Sequence, residues 1–367
     1  MIFYLFPVYF SAMFFFSSLL KVKINFFISL MISAVVVIIA GFRYFSDTDY
    51  EAYYDIFHSL PSLAMLEYHH LRDTYGELGY LLLNVAVKSL NLDFYVVTLV
   101  CAFISISGKF FFVTKFSYSA PLVLTCYLCL HFVTTEFSEL RWSVATSLIL
   151  LSFYFSFKNN KFLVFTFTFS SLMFHYSTFL IIPLLLFHKI ISRQLLYIIF
   201  IFSFLVALFY KFIGFSVAVD FGDTLYALAR LQRYLNDPDS NVGFFSLAKL
   251  FFFFVVIFSL NFLANSTKFL DREHIFLEKI ALGLSSIALI FSLAPVFFLR
   301  LAPLFDLIFL VIIFRRIFQL NTKSTKIIFS FLLVFAFSLW QLISLPRSLS
   351  TPLTEGGLAT YQMVIFN

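Results

Sequence analysis

Apolar stretches of about twenty residues recur from one end of the chain to the other, separated by short polar turns. They fall at residues 2–20, 24–42, 94–114, 119–137, 142–157, 162–174, 176–188, 195–213, 244–264, 279–296, 298–314 and 324–345. Most are long enough, as α-helices, to cross a bilayer core of ~30 Å. Alternating ten-residue strands are missing, which argues against a β-barrel. The pattern predicts an all-α polytopic integral membrane protein with about twelve transmembrane helices. Two places depart from it. Residues 78–90 are apolar but would make only about 20 Å of helix, and they contain Asn84 and Lys88. They read as a short interfacial or re-entrant helix. Residues 162–188 form one long apolar run interrupted at His175-Tyr-Ser-Thr. They read as a hairpin with His175 at its tip, because irregular backbone inside a membrane is tolerated only against protein or water.

Composition sharpens this picture. The 367 residues are 62% hydrophobic and only 12% charged, with a mean hydropathy of +0.98. Soluble domains carry about twice that share of charge, so lipid must be part of the solvent. The 58 phenylalanines read as lipid-facing filler. The first apolar run lacks a basic flank and a small-residue cleavage site, so it is expected to be a retained span. No internal repeat, Pro/Gly-rich linker or nucleic-acid signature is apparent, and residues 1–367 read as a single transmembrane domain. Cys101, Cys126 and Cys129 all lie in apolar runs. Cys126 and Cys129 share a helix face, but no second ligand pair accompanies them, so they read as packing rather than metal ligands.

Charge fixes the orientation. Lys21/Lys23, Lys115, Lys158/Lys161, Lys189/Arg193, Lys268/Arg272/Lys279 and Arg315/Arg316/Lys323/Lys326 occupy alternate turns. The excess of basic residues in cytoplasmic loops puts these turns inside. The opposite face then receives the large loops 43–93 and 214–243, the Glu139/Arg141 turn and the tail 346–367. Residues 43–77 set Arg43 and Arg72 against Asp47, Asp49, Glu51, Asp55, Glu67, Asp73 and Glu77.

The candidate chemistry lies on that outer face. Arg43 follows the second span directly, and its planar fork suits a phosphate or carboxylate; the alternative is a snorkelling side chain paired with Asp47 or Asp49. Asp47 and Asp49 can hydrogen-bond sugar hydroxyls, although solvated loop acids look the same. Tyr50, with Tyr44, Tyr53 and Tyr54, offers flat faces for sugar rings, as interfacial tyrosine belts also do. Glu77 opens the short helix, where a carboxylate also suits the helix dipole. Glu139 and Arg141 flank an outer turn near Glu136, and Arg141 begins an otherwise uncharged helix at headgroup depth. His175, embedded in an apolar stretch, has the near-neutral pKa of a general base, or is a hydrogen-bonded core residue. Arg230 and Arg233 share a helix face and can grip a diphosphate, or pair with Asp223 and Asp237. Arg300 interrupts an apolar run, with Asp306 nearby as its possible partner.

In this order the motifs resemble the EpsG-like branch of the O-antigen (Wzy-type) polysaccharide polymerases. The resemblance rests on Arg43 with Asp47-Thr-Asp-Tyr50; Glu77 opening an apolar segment with Asn84; and Arg141 opening a span, followed here by Trp142 where the family pattern has Gln. It continues with the Lys158–Lys161 turn leading to His175-Tyr-Ser-Thr178, and with Arg300 before Phe305. It covers most of residues 40–316.

The resemblance implies a glycosyltransferase C-like (GT-C) architecture in the bacterial inner membrane, with the active site facing the periplasm. It implies transfer of a growing glycan from undecaprenyl diphosphate to the non-reducing end of an incoming lipid-linked repeat unit, without metal or other cofactor. The expected partners are the undecaprenyl-diphosphate-linked oligosaccharide, the lipid bilayer and a chain-length regulator in the membrane. Arg43, Asp47, Tyr50, Glu77, Arg141, Arg230, Arg233 and Arg300 are expected to bind substrate, with His175, Asp49 or Glu139 as the proton acceptor. Two alternatives are a flippase for the same lipid-linked unit and a membrane O-acyltransferase. A flippase should show two related halves, and an acyltransferase needs a histidine reachable from the cytoplasm.

Overall fold

The computed structural model describes residues 22–44, 49–213, 244–263, 271–293, 295–320, 323–349 and 362–363, and these are helical almost throughout. Five helical stretches among the described residues are long and apolar enough to cross a membrane: Phe94–Phe116, Ala120–Ser138, Leu140–Phe157, Arg193–Phe212 and Val296–Gln319. The expected first span 2–20, the loop 214–243 with Arg230 and Arg233, Asp47, and most of the tail lie outside the described residues.

The chain divides into two compact units, Met1–Phe179 with Leu320–Asn367, and Leu180–Gln319. In the first unit α1 (Val22–Gly41) leads into a two-residue strand, β1 (Arg43–Tyr44). Three short helices follow: α2 (Tyr50–Ser59), α3 (Tyr68–Asp73) and α4 (Leu78–Ser89). Four more complete the run: α5 (Phe94–Phe116), α6 (Ala120–His131), α7 (Leu140–Phe157) and α8 (Lys161–Phe174). Helix α4 has 12 residues, about 18 Å, and agrees with the short apolar helix expected at 78–90. Its buried face, Tyr80, Leu81, Asn84, Val85 and Val87, packs against α2, α5 and α8. Helix α8 begins where the Asn160 side chain accepts the Leu163 N–H at 3.1 Å, a regular N-cap. It ends at His175, which is extended.

Helix α5 crosses α7 closely. A Cβ at Gly108 would lie 1.9 Å from Ser147 Oγ, so any larger residue must displace that hydroxyl. Small residues at such crossings let membrane helices approach. Between α6 and α7 the backbone widens into a π-helix, Phe132–Ser138. The C-terminal strand β2 (Gln362–Met363) returns to pair antiparallel with β1, Arg43 opposite Met363.

The second unit holds α9 (Ile182–Phe187), α10 (Arg193–Ile213), α11 (Phe244–Leu263), α12 (Arg272–Ile290) and α13 (Pro295–Gln319). Helix α13 is buried on every side from Leu301 to Phe314, as expected of a helix apolar all round. Helix α12 starts seven residues before the apolar run at 279–296. Asp271 caps it by accepting the His274 N–H at 2.7 Å, and Arg315 of α13 pairs with Asp271 at 2.5 Å and Glu273 at 2.7 Å. Hydropathy misses that turn because its charges are neutralised by partners distant in sequence. Helix α14 (Lys323–Leu349) returns to the first unit and packs on α6.

Candidate functional site

Antiparallel succession brings the ends of several elements of the first unit together: the start of β1, and of α2, α4 and α7, and the end of α8. The opposite end carries Lys115 and Lys158, with Phe116 and Phe157 ring to ring at 5.7 Å. The polar end rests on its own apolar core of Tyr50, Tyr53, Phe57, Leu60, Tyr80 and Phe94.

Arg141 is the centre of this end. Its Nη1 donates to Glu77 Oε2 at 2.5 Å and its Nη2 to the Tyr75 hydroxyl at 3.3 Å. The rings of Tyr75, Tyr53 and Tyr80 surround the guanidinium at 4.9, 5.5 and 5.9 Å. Aromatic faces attract a cation, more strongly as it is desolvated. The turn that presents Tyr75 and Glu77 follows from short-range sequence. Gly76, at φ +147°, makes a turn that an L side chain resists, and Glu77 follows as the N-cap of α4. A Cβ at Gly76 would also press on Leu81 at 2.9 Å. The Arg141 side chain stays 11% accessible and that of Glu77 9%, while Tyr75 is exposed at the rim. The result is a cation in an aromatic cage, open on one side.

Two of the expected proton acceptors border this cage. Asp49 is the N-cap of α2 and Glu139 joins the π-helix to α7; both are half-buried. Burial pushes the Tyr53 phenol above its ordinary pKa; Arg141 opposes this, and Asp49 and Glu139 add to it. All three charges therefore act on one hydroxyl.

His175 is buried, with its ring edge-to-face on Trp142 at 5.0 Å. The Ser177 N–H donates to His175 Nδ1 at 3.1 Å. With that nitrogen accepting, the neutral ring carries its proton on Nε2.

The remaining expected site residues make other contacts. Arg43 is fully buried, its Nη1 donating to the Ala40 carbonyl at 2.8 Å and its guanidinium over the Phe137 ring at 5.3 Å. Tyr50 is buried among Phe94, Tyr44 and Tyr54, at 5.2, 6.1 and 6.3 Å. Lys88 donates to the carbonyls of Phe57, His58 and Leu60, and so closes the end of α2. In the second unit Arg300 is half-buried on α13, and Asp306 pairs with Lys249 of α11 at 2.5 Å, a partner the sequence did not suggest. Asp47, Arg230 and Arg233 lie outside the described residues.

The sequence reading missed a second centre. Lys109, in the middle of α5, pairs with Glu136 of the π-helix at 2.8 Å, their side chains 2% and 1% accessible. Tyr127 donates to Glu136 Oε1 at 2.6 Å, and Ser143 to Oε2 at 2.7 Å. Ser105 joins Lys109, Glu136 and Ser143. The signal was available: each charge interrupts an apolar span, which is costly and calls for a partner.

The model of the EpsG family matches residues 26–363. No curated protein and no solved structure matches the chain.

Proposed function

Because the chain belongs to the EpsG family, a membership that supports a membrane polysaccharide-polymerase role, we propose that it is a surface-polysaccharide (O-antigen) polymerase of the bacterial inner membrane. In this reading it acts on the periplasmic face and joins lipid-linked repeat units. The acceptor hydroxyl attacks the anomeric carbon of the growing glycan. The bond from that carbon to the diphosphate oxygen breaks, and undecaprenyl diphosphate leaves with the electron pair. The acceptor's proton passes to a carboxylate.

The observation that carries this reading is the Arg141 cage. A glycosyl diphosphate needs its developing negative charge met where water is scarce, and an arginine can do so through two parallel hydrogen bonds. Arg141 is already desolvated, pre-oriented by Glu77 and accessible on one side. Of the rings that hold it, Tyr75 is exposed and can also offer a face to a sugar ring. Passage through an oxocarbenium-like state, as in other glycosyl transfers, fits a site dense in carboxylate and aromatic groups. Asp49 and Glu139 are the proton acceptors in this scheme. His175, with Nδ1 occupied by Ser177, serves instead as a donor through Nε2. Further guanidinium contacts from Arg43, Arg230, Arg233 and Arg300 are separate proposals, each tested by alanine substitution.

Purified protein with a defined undecaprenyl-diphosphate oligosaccharide should yield chains of several repeat units, and Arg141→Ala should leave single units at unchanged protein level. Absence of all surface units in cells carrying Arg141→Ala would point to a flippase. Acyl transfer to the glycan without chain growth would point to an acyltransferase. Long chains of normal length distribution would remove Arg141 from the site.

A further inference from the structure

The Lys109–Glu136 centre is built differently from a substrate site. Both charges are buried, and the carboxylate is bonded within the protein: Lys109 and Tyr127 at one oxygen, Ser105 and Ser143 at the other. Lys109 Nζ also reaches the Ser143 carbonyl at 3.0 Å. The cavity against it, lined by Ser33, Lys109, Tyr127 and apolar side chains, has room for one water at most. No sugar or diphosphate fits there.

Such a pair is poor value as a stabiliser. Taking two charges out of water can cost more than their attraction returns, and apolar replacements often do as well. What it can provide is geometry. Glu136 lies inside the seven-residue π-helix Phe132–Ser138, whose i→i+5 bonds each span one more residue than those of an α-helix and are the less favoured pattern. The same carboxylate binds Ser105 on α5 and Ser143 on α7. It therefore fixes the wide turn against the helix before it and the helix after it. Directly downstream are Glu139, whose carbonyl accepts the Ser143 N–H at 2.8 Å, and Arg141.

We propose that Lys109 and Glu136, with Ser105, Tyr127 and Ser143, are positioning residues: they pin the π-helical turn and thereby set where Glu139 and Arg141 enter the cage. The inference rests on the polymerase reading for its kinetic consequence but not for its structural one.

The double variant Lys109→Met/Glu136→Gln removes both charges at similar volume, so the fold should persist. Turnover on the lipid-linked oligosaccharide should fall about 10- to 100-fold, the loss expected when reacting groups shift by about an ångström, with KM for the donor changed far less. In a Glu139→Cys background the rate of modification by a charged thiol reagent should change several-fold on adding the double substitution; the natural cysteines are buried. Should the double variant not fold, Tyr127→Phe removes one hydrogen bond to Glu136 and should shift both readouts the same way, by about two- to threefold. Normal turnover together with an unchanged thiol rate overturns the proposal, as does lowered thermal stability with normal turnover per folded molecule. If the unaltered protein does not polymerise, the polymerase reading fails, and the thiol rate alone decides on the clamp.

Discussion

The Arg141–Glu77 and Lys109–Glu136 pairs both bear on the first turn of α7, yet they are built in opposite ways. The first leaves its side chains 11% and 9% accessible, and aromatic rings rather than hydrogen-bond acceptors surround much of the cation. The second leaves 2% and 1%, and gives each carboxylate oxygen two partners. Rings hold a cation without saturating its donors, so a guanidinium so held can exchange its carboxylate for an arriving anion. A carboxylate with both oxygens bonded inside the protein has nothing to offer a ligand. Charge in a membrane protein marks function by default, but accessibility and saturation separate a group that handles substrate from one that places it.

The largest effects should come from removing one charge of each pair, and they should differ in kind. Arg141→Ala should lower polymerisation by about a hundredfold or more, the scale of losing a group aimed at developing charge, with a smaller loss of thermal stability than Glu136→Ala, because Glu77 keeps some access to water. Glu136→Ala should do the reverse first. It leaves Lys109 charged and unpartnered in the interior, at a cost of about 3–5 kcal/mol, read as a lowered melting temperature and less protein in the membrane. Equal losses of stability in both variants would erase the distinction.

A smaller effect tests the helix crossing on which the closed centre depends. Gly108 adjoins Lys109 and faces Ser147. Gly108→Ala should destabilise by about 1–3 kcal/mol, the usual cost of overpacking. Ser147→Ala removes the hydroxyl that the new methyl would meet and should recover part of this. Thermal unfolding in detergent of the single and double variants decides: no recovery would mean that the crossing tolerates separation.

Much of the helical frame was legible because a bilayer demands long apolar runs. The expected spans at 24–42, 94–114, 142–157 and 195–213 fall within a few residues of α1, α5, α7 and α10, and the helix break at His175 was readable from four polar residues. The cage was half legible. Arg141 and Glu77 each stood out, but their pairing across 64 residues did not, and Tyr75 resembled any interfacial tyrosine. The Lys109–Glu136 pair was not recovered because its partners meet only through the π-helix, whose wider turn breaks the 3.6-residue phase by which one helix face is inferred from sequence. Arg43 and Tyr50 are the converse case: they stand at the mouth in sequence but are buried, Arg43 on a strand that pairs with Met363 and Tyr50 in an aromatic cluster.

The smallest effect concerns how dry the cage is. Burial holds the proton on Tyr53, and Asp49 and Glu139 reinforce it against the pull of Arg141, so its folded pKa lies above the ordinary value of 10. A raised pKa means that this tyrosine favours the folded state below the unfolded pKa, and that the contribution fades as pH rises through the folded value. Stability above about pH 10 should therefore fall less steeply in Tyr53→Phe than in the unaltered protein. Tyrosinate absorbance at about pH 11 should be the same in both, since Tyr53 has not yet ionised. If the variant instead lacks one tyrosine's worth of absorbance at that pH, water reaches the Tyr53 hydroxyl freely. Arg141 would then sit in a wet rather than a desolvated cage, and its hold on a diphosphate would weaken accordingly, because screening by water is what the aromatic walls serve to prevent.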